Sequence, residues 1–400
     1  MKQILTLALV AVIATGANAE EKKDSVNKNK PVFTVVKENK ITSIKDQSRS
    51  GTCWAYSTLS FFESEILRNT GKTYDLCENY VASKTYMDRA IASVRMHGDI
   101  SFSQGGSSYD PLYCAVNYGL CPEDAMPAPG TPQGDSLNNF DEFFNVMTPY
   151  VEGIAKSNSK KLTPAWKKGL QGILDAYLGE CPKEFTHEGK KYTPQSFAQS
   201  LGLIWDDYVS ISSFTHHPFW KPFVVEVQDN WRWKQSYNVP LDDMMRIIDN
   251  AINEGYTIMW GGDVSEDGFT RKGLGIAYDT KKVQSMAGSD ADRWLRLSAT
   301  EKNHKFDSLG INAPEIVPTQ EMRQEAYDNW ETTDDHGMHL YGIAKDQNGR
   351  EYYMVKNSWG EFGDYKGTWY MTKAFIAYKT MDFMVNKNAI PSDIRKKLGI

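Results

Sequence analysis

One cysteine at the start of an apolar helical stripe constrains this chain more than any other feature. Residues 50–52, Ser-Gly-Thr, form a predicted turn directly before Cys53. A helix is predicted next, because apolar residues then share one helical face: Ala55, Leu59, Phe62 and Ile66. The unpaired N–H groups and the positive dipole end of a helix N-terminus stabilise a thiolate. Cys53 is therefore a candidate nucleophile, and the alternative is an inert buried thiol.

A glutamine upstream of the cysteine could assist such a nucleophile. Gln47 lies six residues before Cys53, across a glycine-containing loop that can fold back. Its side-chain amide could then donate to an oxyanion beside Cys53, together with the Cys53 backbone N–H. We therefore predict an oxyanion-stabilising role for Gln47.

A cysteine nucleophile also needs a base and a group that orients the base. A strand is predicted from His336, an Asn-Gly turn follows at residues 346–349, and a returning strand spans residues 351–356. Such a hairpin can bring His336 near Asn357, since both lie at the ends remote from the turn. Asn357 can then accept the imidazole N–H, and Trp359 can shield that hydrogen bond from water.

The remaining histidine and acidic motifs predict no metal site. His339 is a second candidate base, but its spacing along a strand puts it on the face opposite His336, so only one of them can meet the thiol. The same geometry argues against a metal pair. Adjacent His216 and His217 are interpreted as surface residues, and the loop at 263–268 lacks the glutamate that a calcium loop carries at its twelfth position. We expect neither a metal nor a cofactor.

The two motifs together resemble those of the papain-like cysteine peptidases. The sequence from the glutamine through Cys-Trp-Ala-Tyr-Ser is similar to the nucleophile motif of that family, and Asn-Ser-Trp-Gly after an apolar strand is similar to its asparagine motif. The His-small-Met pattern identifies His336 as the base. The resemblance implies an α+β fold with a helical lobe and a β-rich lobe, and a cleft between them. The implied site residues are the catalytic Cys53, His336 and Asn357, the oxyanion-binding Gln47, and the aromatic cover Trp54 and Trp359.

One substitution and one spacing make the chain similar to the branch of bleomycin hydrolase and aminopeptidase C. Ser50 stands where most of the family carries a cysteine, which is typical of that branch. Cys53 and His336 are 283 residues apart, against roughly 130–150 in papain. The excess predicts a large, mainly helical insertion at about residues 138–215, within a peptidase domain of residues 32–395.

Two further features bear on how a substrate would bind. Gly105 and Gly106 resemble the glycine strip along which the family holds the substrate backbone, and the alternative is an ordinary loop. Members of the branch also carry a C-terminal tail whose carboxylate meets the free amine of the substrate. Residues 396–400 form a short tail here, so the sequence is compatible with an aminopeptidase and with an endopeptidase that has an open cleft.

The N-terminus predicts export. Lys2, an apolar run at residues 4–14 and small residues up to Ala19 match a secretory signal peptide that is cleaved after Ala19. The run is about half as long as a membrane span requires, so no membrane association is expected after cleavage. Residues 20–31 form a polar leader. We expect the mature protein in the periplasm or outside the cell.

Composition and charge narrow the function further. The 400 residues are 40% hydrophobic, which supports a folded core, and their net charge of −6 argues against nucleic-acid binding. Four further cysteines could form two bridges or stay free: Cys77, Cys114, Cys121 and Cys181. We predict an exported cysteine peptidase that acts on peptides, an aminopeptidase of the bleomycin hydrolase type, for which the resemblance implies a hexamer. The alternatives are an endopeptidase and a non-catalytic peptide-binding protein on the same fold.

Overall fold

The computed structural model describes residues 31–126, 138–280, 282, 298 and 309–400. The predicted signal peptide, its cleavage after Ala19 and nearly all of the polar leader lie outside these residues, so they stay predictions. The described chain is a mixed α+β structure in which a helical lobe stands beside one large sheet. This architecture confirms the predicted fold class.

Eleven of the described strands join in one mixed sheet. In chain order the strands are β1 (Thr34–Glu38), β2 (Phe185–His187), β3 (Lys190–Tyr192), β4 (Tyr208–Ser212), β5 (Pro222–Val224), β6 (Gln235–Asn238), β7 (Ile258–Gly262), β8 (Phe269–Thr270), β9 (Leu274–Gly275), β10 (His336–Lys345), β11 (Glu351–Lys356), β12 (Thr368–Thr372) and β13 (Thr380–Asn386). The order across the sheet is β5-β6-β4-β13-β7-β10-β11-β12-β9-β8, and β1 also pairs with β10. Strands β2 and β3 form a separate hairpin.

The hairpin that carries the predicted base and its partner lies in the middle of this sheet. Strand β10 pairs antiparallel with both β7 and β11, and all its residues except Lys345 are buried. The turn is held by Asp346, whose Oδ1 accepts the N–H groups of Asn348 and Arg350. The chain therefore forms the hairpin that the apolar runs and the Asn-Gly turn predict.

The helical lobe contains the two longest described helices. The helices, in chain order, are α1 (Cys53–Thr70), α2 (Glu78–Arg95), α3 (Tyr109–Asn117), α4 (Asp141–Ala155), α5 (Ala165–Leu178), α6 (Pro194–Ser200), α7 (Leu241–Asn253), α8 (Gln320–Asp328), α9 (Lys373–Lys379) and α10 (Ser392–Leu398). Helices α1 to α6 share an apolar core rich in aromatic side chains, among them Phe61, Tyr86 and Phe143. Residues 138–215, where the sequence predicts an insertion, contain α4, α5, the β2–β3 hairpin and α6, and then β4 of the main sheet.

Helix α1 joins the two lobes by lying against β10. The apolar positions that predict α1 are fully buried: Ala55, Leu59, Phe62 and Ile66. The two elements come closest at Gly337, where an added Cβ would lie 2.7 Å from the Ser57 Oγ and 3.4 Å from the Cys53 carbonyl oxygen. This close approach places the first residue of α1 beside the first residues of β10.

The C-terminal segment lies against the sheet. Leu398 and Ile400 pack into the same apolar cluster as residues of α7 and β10, and no residue from 387 to 400 lines the cleft described below. All five cysteines of the chain are free thiols in this structure. Among the described helices, none has the length and apolar composition that a membrane span requires.

Candidate active site

Cys53 is the first residue of α1, as the sequence predicts. Thr52 precedes it without capping the helix through its side chain, and the first turn carries no acidic residue. The positive end of the helix is therefore not neutralised by a local side chain and lies beside Cys53. The residue is partly exposed and lines a cleft that also contains His336.

The imidazole of His336 is held by a hydrogen bond to Asn357. Its Nε2 lies 2.9 Å from Asn357 Oδ1. The same Oδ1 accepts the Ser358 N–H at 2.8 Å, so this oxygen is the acceptor and His336 Nε2 carries the proton. Nδ1 is then the ring nitrogen with a free lone pair. This is the tautomer that a base for the neighbouring thiol requires.

Of the two predicted aromatic covers, Trp359 lies on the histidine. The ring centroids of Trp359 and His336 are 4.9 Å apart. Trp54 instead packs in the core of the helical lobe, where its indole N–H donates to the Gln104 carbonyl at 3.0 Å. Trp54 also lines the cleft, beside Gly106. Its role as an aromatic cover stays a prediction.

Gln47 connects the cysteine motif to the asparagine motif. Its backbone N–H donates to the Ser358 carbonyl at 2.8 Å, next to a β-bridge between Asp46 and Trp359. The buried side-chain Oε1 accepts the Ser358 hydroxyl at 2.6 Å, and Nε2 donates to the Ser50 carbonyl at 2.6 Å. An amide nitrogen carries two hydrogens, so one N–H of Nε2 is left for another acceptor. The oxyanion role of Gln47 stays a prediction.

The two glycines predicted to bind substrate have different neighbours. Gly106 lines the cleft together with Cys53, and a Cβ there would lie 2.8 Å from the Trp54 ring. A Cβ on Gly105 would lie 2.0 Å from the Asp229 carboxylate. Both positions therefore need glycine for the close packing seen here. The side of Gly105 is covered by Asp229, whereas Gly106 faces the cleft.

Four carboxylates line the same cleft: Asp229, Asp334, Asp335 and Asp382. Asp335 is tied to the segment after β7 by hydrogen bonds from the Val264 N–H and the Ser265 hydroxyl. The remaining three are Asp229, Asp334 and Asp382. Asp229 lies 3.4 Å from the Arg89 guanidinium. Asp382 accepts the Ser210 hydroxyl at 2.7 Å. Burial raises the pKa of each carboxyl, to about 6 for Asp382 and well above the usual range for Asp334, whose pKa the other two raise further. A cation bound in this part of the cleft would be stabilised by all three.

The sequence analysis missed these carboxylates. Asp334 lies two residues before His336, so its closeness to the base could have been inferred from the start of β10. No local pattern marks the other two. Asp229 reaches the cleft from the loop between β5 and β6, and Asp382 reaches it from β13, which the fold places two strands away from β10.

Burial sets the resting charges of Cys53 and His336. It raises the pKa of the Cys53 thiol to about 12, and two nearby carboxylates act in the same direction, while the Gly337 N–H opposes them. Burial lowers the pKa of His336 to about 4, against the effect of its hydrogen bond to Asn357. Near neutral pH each group is therefore uncharged on its own. A thiolate at Cys53 requires His336 to take the proton.

The other histidines of the sequence analysis lie away from the thiol. His339 is buried, and its Nδ1 lies 2.9 Å from the Ser60 Oγ on α1. His216 and His217 lie in the loop after β4 and share one carboxylate, that of Glu226. The two imidazoles therefore converge on one carboxylate, whereas isolated surface histidines share no partner.

Sequence comparisons relate both ends of the chain to cysteine peptidases. The pattern of the papain family cysteine proteases matches residues 30–133, and that of the peptidase C1-like family matches residues 306–399. Aminopeptidase C of Lactobacillus delbrueckii subsp. lactis is 24% identical over 408 residues, covering 92% of this chain and 84% of the relative. Human bleomycin hydrolase (Homo sapiens) is 20% identical over 421 residues, covering 93% of this chain and 86% of the relative.

A solved structure shares the fold. The crystal structure of PepW from Lactobacillus rhamnosis superposes with a TM-score of 0.65 at 19% identity, covering 92% of this chain and 84% of that chain. The two family patterns contain the cysteine motif and the histidine–asparagine hairpin respectively. The family patterns and the relatives, on the fold that the solved structure shares, support a papain-like cysteine peptidase of the bleomycin hydrolase and aminopeptidase C branch.

Proposed function

We propose that this protein is an exported aminopeptidase that cleaves peptides through a triad of Cys53, His336 and Asn357. The observation that carries the proposal is the arrangement of the three side chains. Cys53 and His336 line one cleft, and the His336 Nε2 is bonded to Asn357 Oδ1 at 2.9 Å. That bond leaves Nδ1 as the proton acceptor.

The proposed reaction follows general-base and nucleophilic chemistry. The Cys53 proton moves to His336 Nδ1 as the sulfur attacks the peptide carbonyl, and the negative charge forms on the carbonyl oxygen. The Cys53 backbone N–H and the free N–H of Gln47 Nε2 stabilise that oxyanion. The C–N bond then breaks, and His336 gives its proton to the leaving amine. A water molecule, deprotonated by His336, hydrolyses the thioester and frees Cys53.

The carboxylates support the exopeptidase mode. Because the Asp229 carboxylate covers Gly105, an extended substrate chain meets a negative group at this end of the glycine strip. Asp334 and Asp382 line the cleft on the sheet side. A free α-ammonium group on the substrate offsets the negative charge of these carboxylates, whereas an acylated N-terminus leaves them without a counter-charge. We infer that the substrate's N-terminal amine binds among the three carboxylates.

An endopeptidase is the second candidate. It is favoured by one observation, namely that the described C-terminal residues 387–400 lie against the sheet and do not line the cleft. In that case the carboxylates would bind a basic side chain of the substrate instead of its terminal amine.

The catalytic proposal is tested with aminoacyl and peptidyl fluorogenic substrates under reducing conditions. We expect hydrolysis by the wild-type chain and none above background from Cys53→Ala, because the nucleophile is absent. Stoichiometric alkylation should abolish activity and modify the peptide that contains Cys53, as read by mass spectrometry. Folded, soluble wild-type protein that hydrolyses none of these substrates would support the non-catalytic binding protein instead.

Export and assembly are proposed on separate grounds. Export rests on the signal-peptide pattern of residues 1–19. The mature protein from cell fractions should begin at Glu20 and occur outside the cytoplasm, and an intact Met1 in the active fraction would contradict export. The homo-oligomer, a hexamer by family resemblance, is tested by light scattering of the mature chain, for which a monomer mass would contradict it.

A further inference from the structure

A second group of metal-binding side chains lies behind the segment that forms one wall of the cleft. His216 and His217 lie in the loop that follows β4, and Glu226 follows β5. The neighbours of Glu226, Val225 and Val227, line the cleft. The Glu226 side chain is 56% exposed and meets the two histidines away from the catalytic residues.

The three side chains present one ligand atom each at a common point. His216 Nε2 lies 3.0 Å from one Glu226 carboxylate oxygen, and His217 Nε2 lies 3.2 Å from the other. The three ligand atoms all lie within 4.8 Å of one another. Ligand atoms that share one tetrahedral zinc ion at about 2.0–2.1 Å lie roughly 3.3 Å apart. The two nitrogen–oxygen distances already match this value, and the two imidazole nitrogens would move to the same separation on binding one ion.

Helix α8 supplies outer contacts of the kind that orient metal ligands. The side-chain amide of Gln324 lies 3.2–3.3 Å from His216 Nδ1. The Tyr327 hydroxyl donates to the Glu226 backbone carbonyl at 3.0 Å, and it lies 3.3 Å from a carboxylate oxygen of Glu226. A metal-bound histidine usually donates its other ring N–H to an oxygen of this type, which fixes the tautomer and the ring orientation. Gln324 Oε1 can accept that proton from His216.

We propose that His216, His217 and Glu226 bind one divalent transition-metal ion, Zn²⁺ in the first instance. Two imidazole nitrogens and one carboxylate oxygen suit zinc, and a water molecule would complete four-coordination. The ion would tie the loop after β4 to the segment that follows β5, and so would brace one wall of the cleft from outside. Both histidines are at least partly exposed, as expected of surface residues, and the proposal adds a ligand that the sequence does not predict.

The competing explanation is that the two histidines simply donate hydrogen bonds to Glu226. In that arrangement both Nε2 atoms carry protons, and no metal dependence follows. Zinc binding instead requires both Nε2 atoms to be unprotonated, because the lone pair of each nitrogen must face the ion.

The test measures metal binding to the mature chain in a Cys53→Ala background, which removes the catalytic thiol as a rival zinc ligand. Chelator-treated protein is dialysed against buffered Zn²⁺ at pH 7.5, and bound zinc is counted by mass spectrometry of the metal. The melting temperature is recorded with and without zinc. The variants are His217→Ala and Glu226→Gln. The control is His97→Asn, at an exposed histidine with a positive φ of 54° that asparagine tolerates.

We expect one bound zinc per chain and a rise in melting temperature on adding zinc. Each ligand variant should weaken binding by at least about tenfold, whereas the control should bind as tightly as the parent. Failure of the parent to bind zinc would overturn the proposal, and so would zinc binding that both ligand variants retain. If His217→Ala does not fold, Glu226→Gln decides between these outcomes, because it keeps the size of the side chain.

Discussion

In the proposed mechanism the reactivity of Cys53 depends on His336, because the environment of the thiol by itself opposes ionisation. Burial and nearby carboxylates raise the pKa of Cys53 to about 12, so the isolated thiol stays protonated at neutral pH. The N-terminus of α1 and the Gly337 N–H favour the thiolate, but they do not supply a proton acceptor. His336 is neutral above a pKa of about 4, so its Nδ1 lone pair is free across the neutral range. The proton that it accepts is held through the attraction between the imidazolium and the neighbouring thiolate.

Removing the imidazole of His336 should make the Cys53 thiol unreactive near neutral pH. In His336→Ala we expect the rate of Cys53 alkylation by iodoacetamide at pH 7 to fall by about 100-fold or more, in line with the contribution of a positioned base. The rate should rise only at strongly alkaline pH, where the raised pKa of the thiol is approached. The measurement is a pH series of alkylation rates by mass spectrometry. Equal rates in wild type and variant at pH 7 would contradict the assignment of His336.

Asn357 acts through the histidine and does not touch the substrate in this account. We expect Asn357→Ala to lower kcat by about 10-fold to 1000-fold with a smaller effect on KM, because the imidazole loses its fixed tautomer and orientation. In Asn357→Gln the amide is retained but displaced, so this variant tests the position of the amide more than its chemistry. A rise in KM with unchanged kcat in Asn357→Ala would assign the residue to substrate binding instead.

At the level of elements, the site exists because α1 can approach β10. The approach is closest at Gly337, with space for no side chain between the strand and Ser57. The β-bridge of Asp46 with Trp359 fixes the other end of the cysteine motif to the segment after β11. These two contacts fix the position of the cysteine motif relative to the hairpin that carries His336 and Asn357.

A methyl group at Gly337 should separate the two elements. We expect Gly337→Ala to destabilise the chain by about 1–3 kcal/mol, as overpacking of a close interface does, and to lower kcat/KM more than this loss of folded protein explains. The control for a glycine-to-alanine change is Gly172→Ala, because a Cβ at Gly172 would have no neighbour within 4 Å. Gly349→Ala is not a matched control, because Gly349 has a positive φ. Unchanged melting temperature and activity in Gly337→Ala would show that the approach is not tight.

For the whole molecule, the distribution of negative charge in the cleft predicts a pH dependence. The pKa of Asp382 is raised to about 6 by burial, so this carboxylate gains a proton as the pH falls through that value. Protonation removes a counter-charge for the substrate amine. We expect KM for free-amine substrates to rise below about pH 6, before His336 protonates near pH 4 and lowers kcat. Burial raises the pKa of Asp335, which lines the same cleft, to about 6 as well. Asp382→Asn should therefore weaken the dependence of KM near pH 6, and the double variant Asp382→Asn, Asp335→Asn should remove it.

The sequence predicted the parts of the site that local patterns determine. The periodicity after Cys53 marks α1, and the two apolar runs around Asn348-Gly349 mark the hairpin, because each element is defined by residues near one another in the chain. The carboxylates could not be predicted in the same way. Asp229 and Asp382 reach the cleft through the order of strands in the sheet, which no local pattern encodes.

The His216–His217 pair shows the same limit at single residues. The contact of the two histidines with Glu226 depends on how two loops pack against each other. The spacing of residues along the chain does not contain this information.

The proposal that the cleft is an aminopeptidase site is tested by comparing substrates with free and blocked N-termini. The specificity constant kcat/KM is measured at pH 7.5 for matched fluorogenic peptides with free and acetylated N-termini, using the wild-type mature chain, Asp334→Asn and Cys53→Ala. We predict that the wild type has a much higher kcat/KM for the free-amine peptide than for the acetylated one. Asp334→Asn should reduce this preference, and Cys53→Ala should cleave neither peptide. Cleavage of the acetylated peptide as well as or better than the free one would contradict the account and identify an endopeptidase.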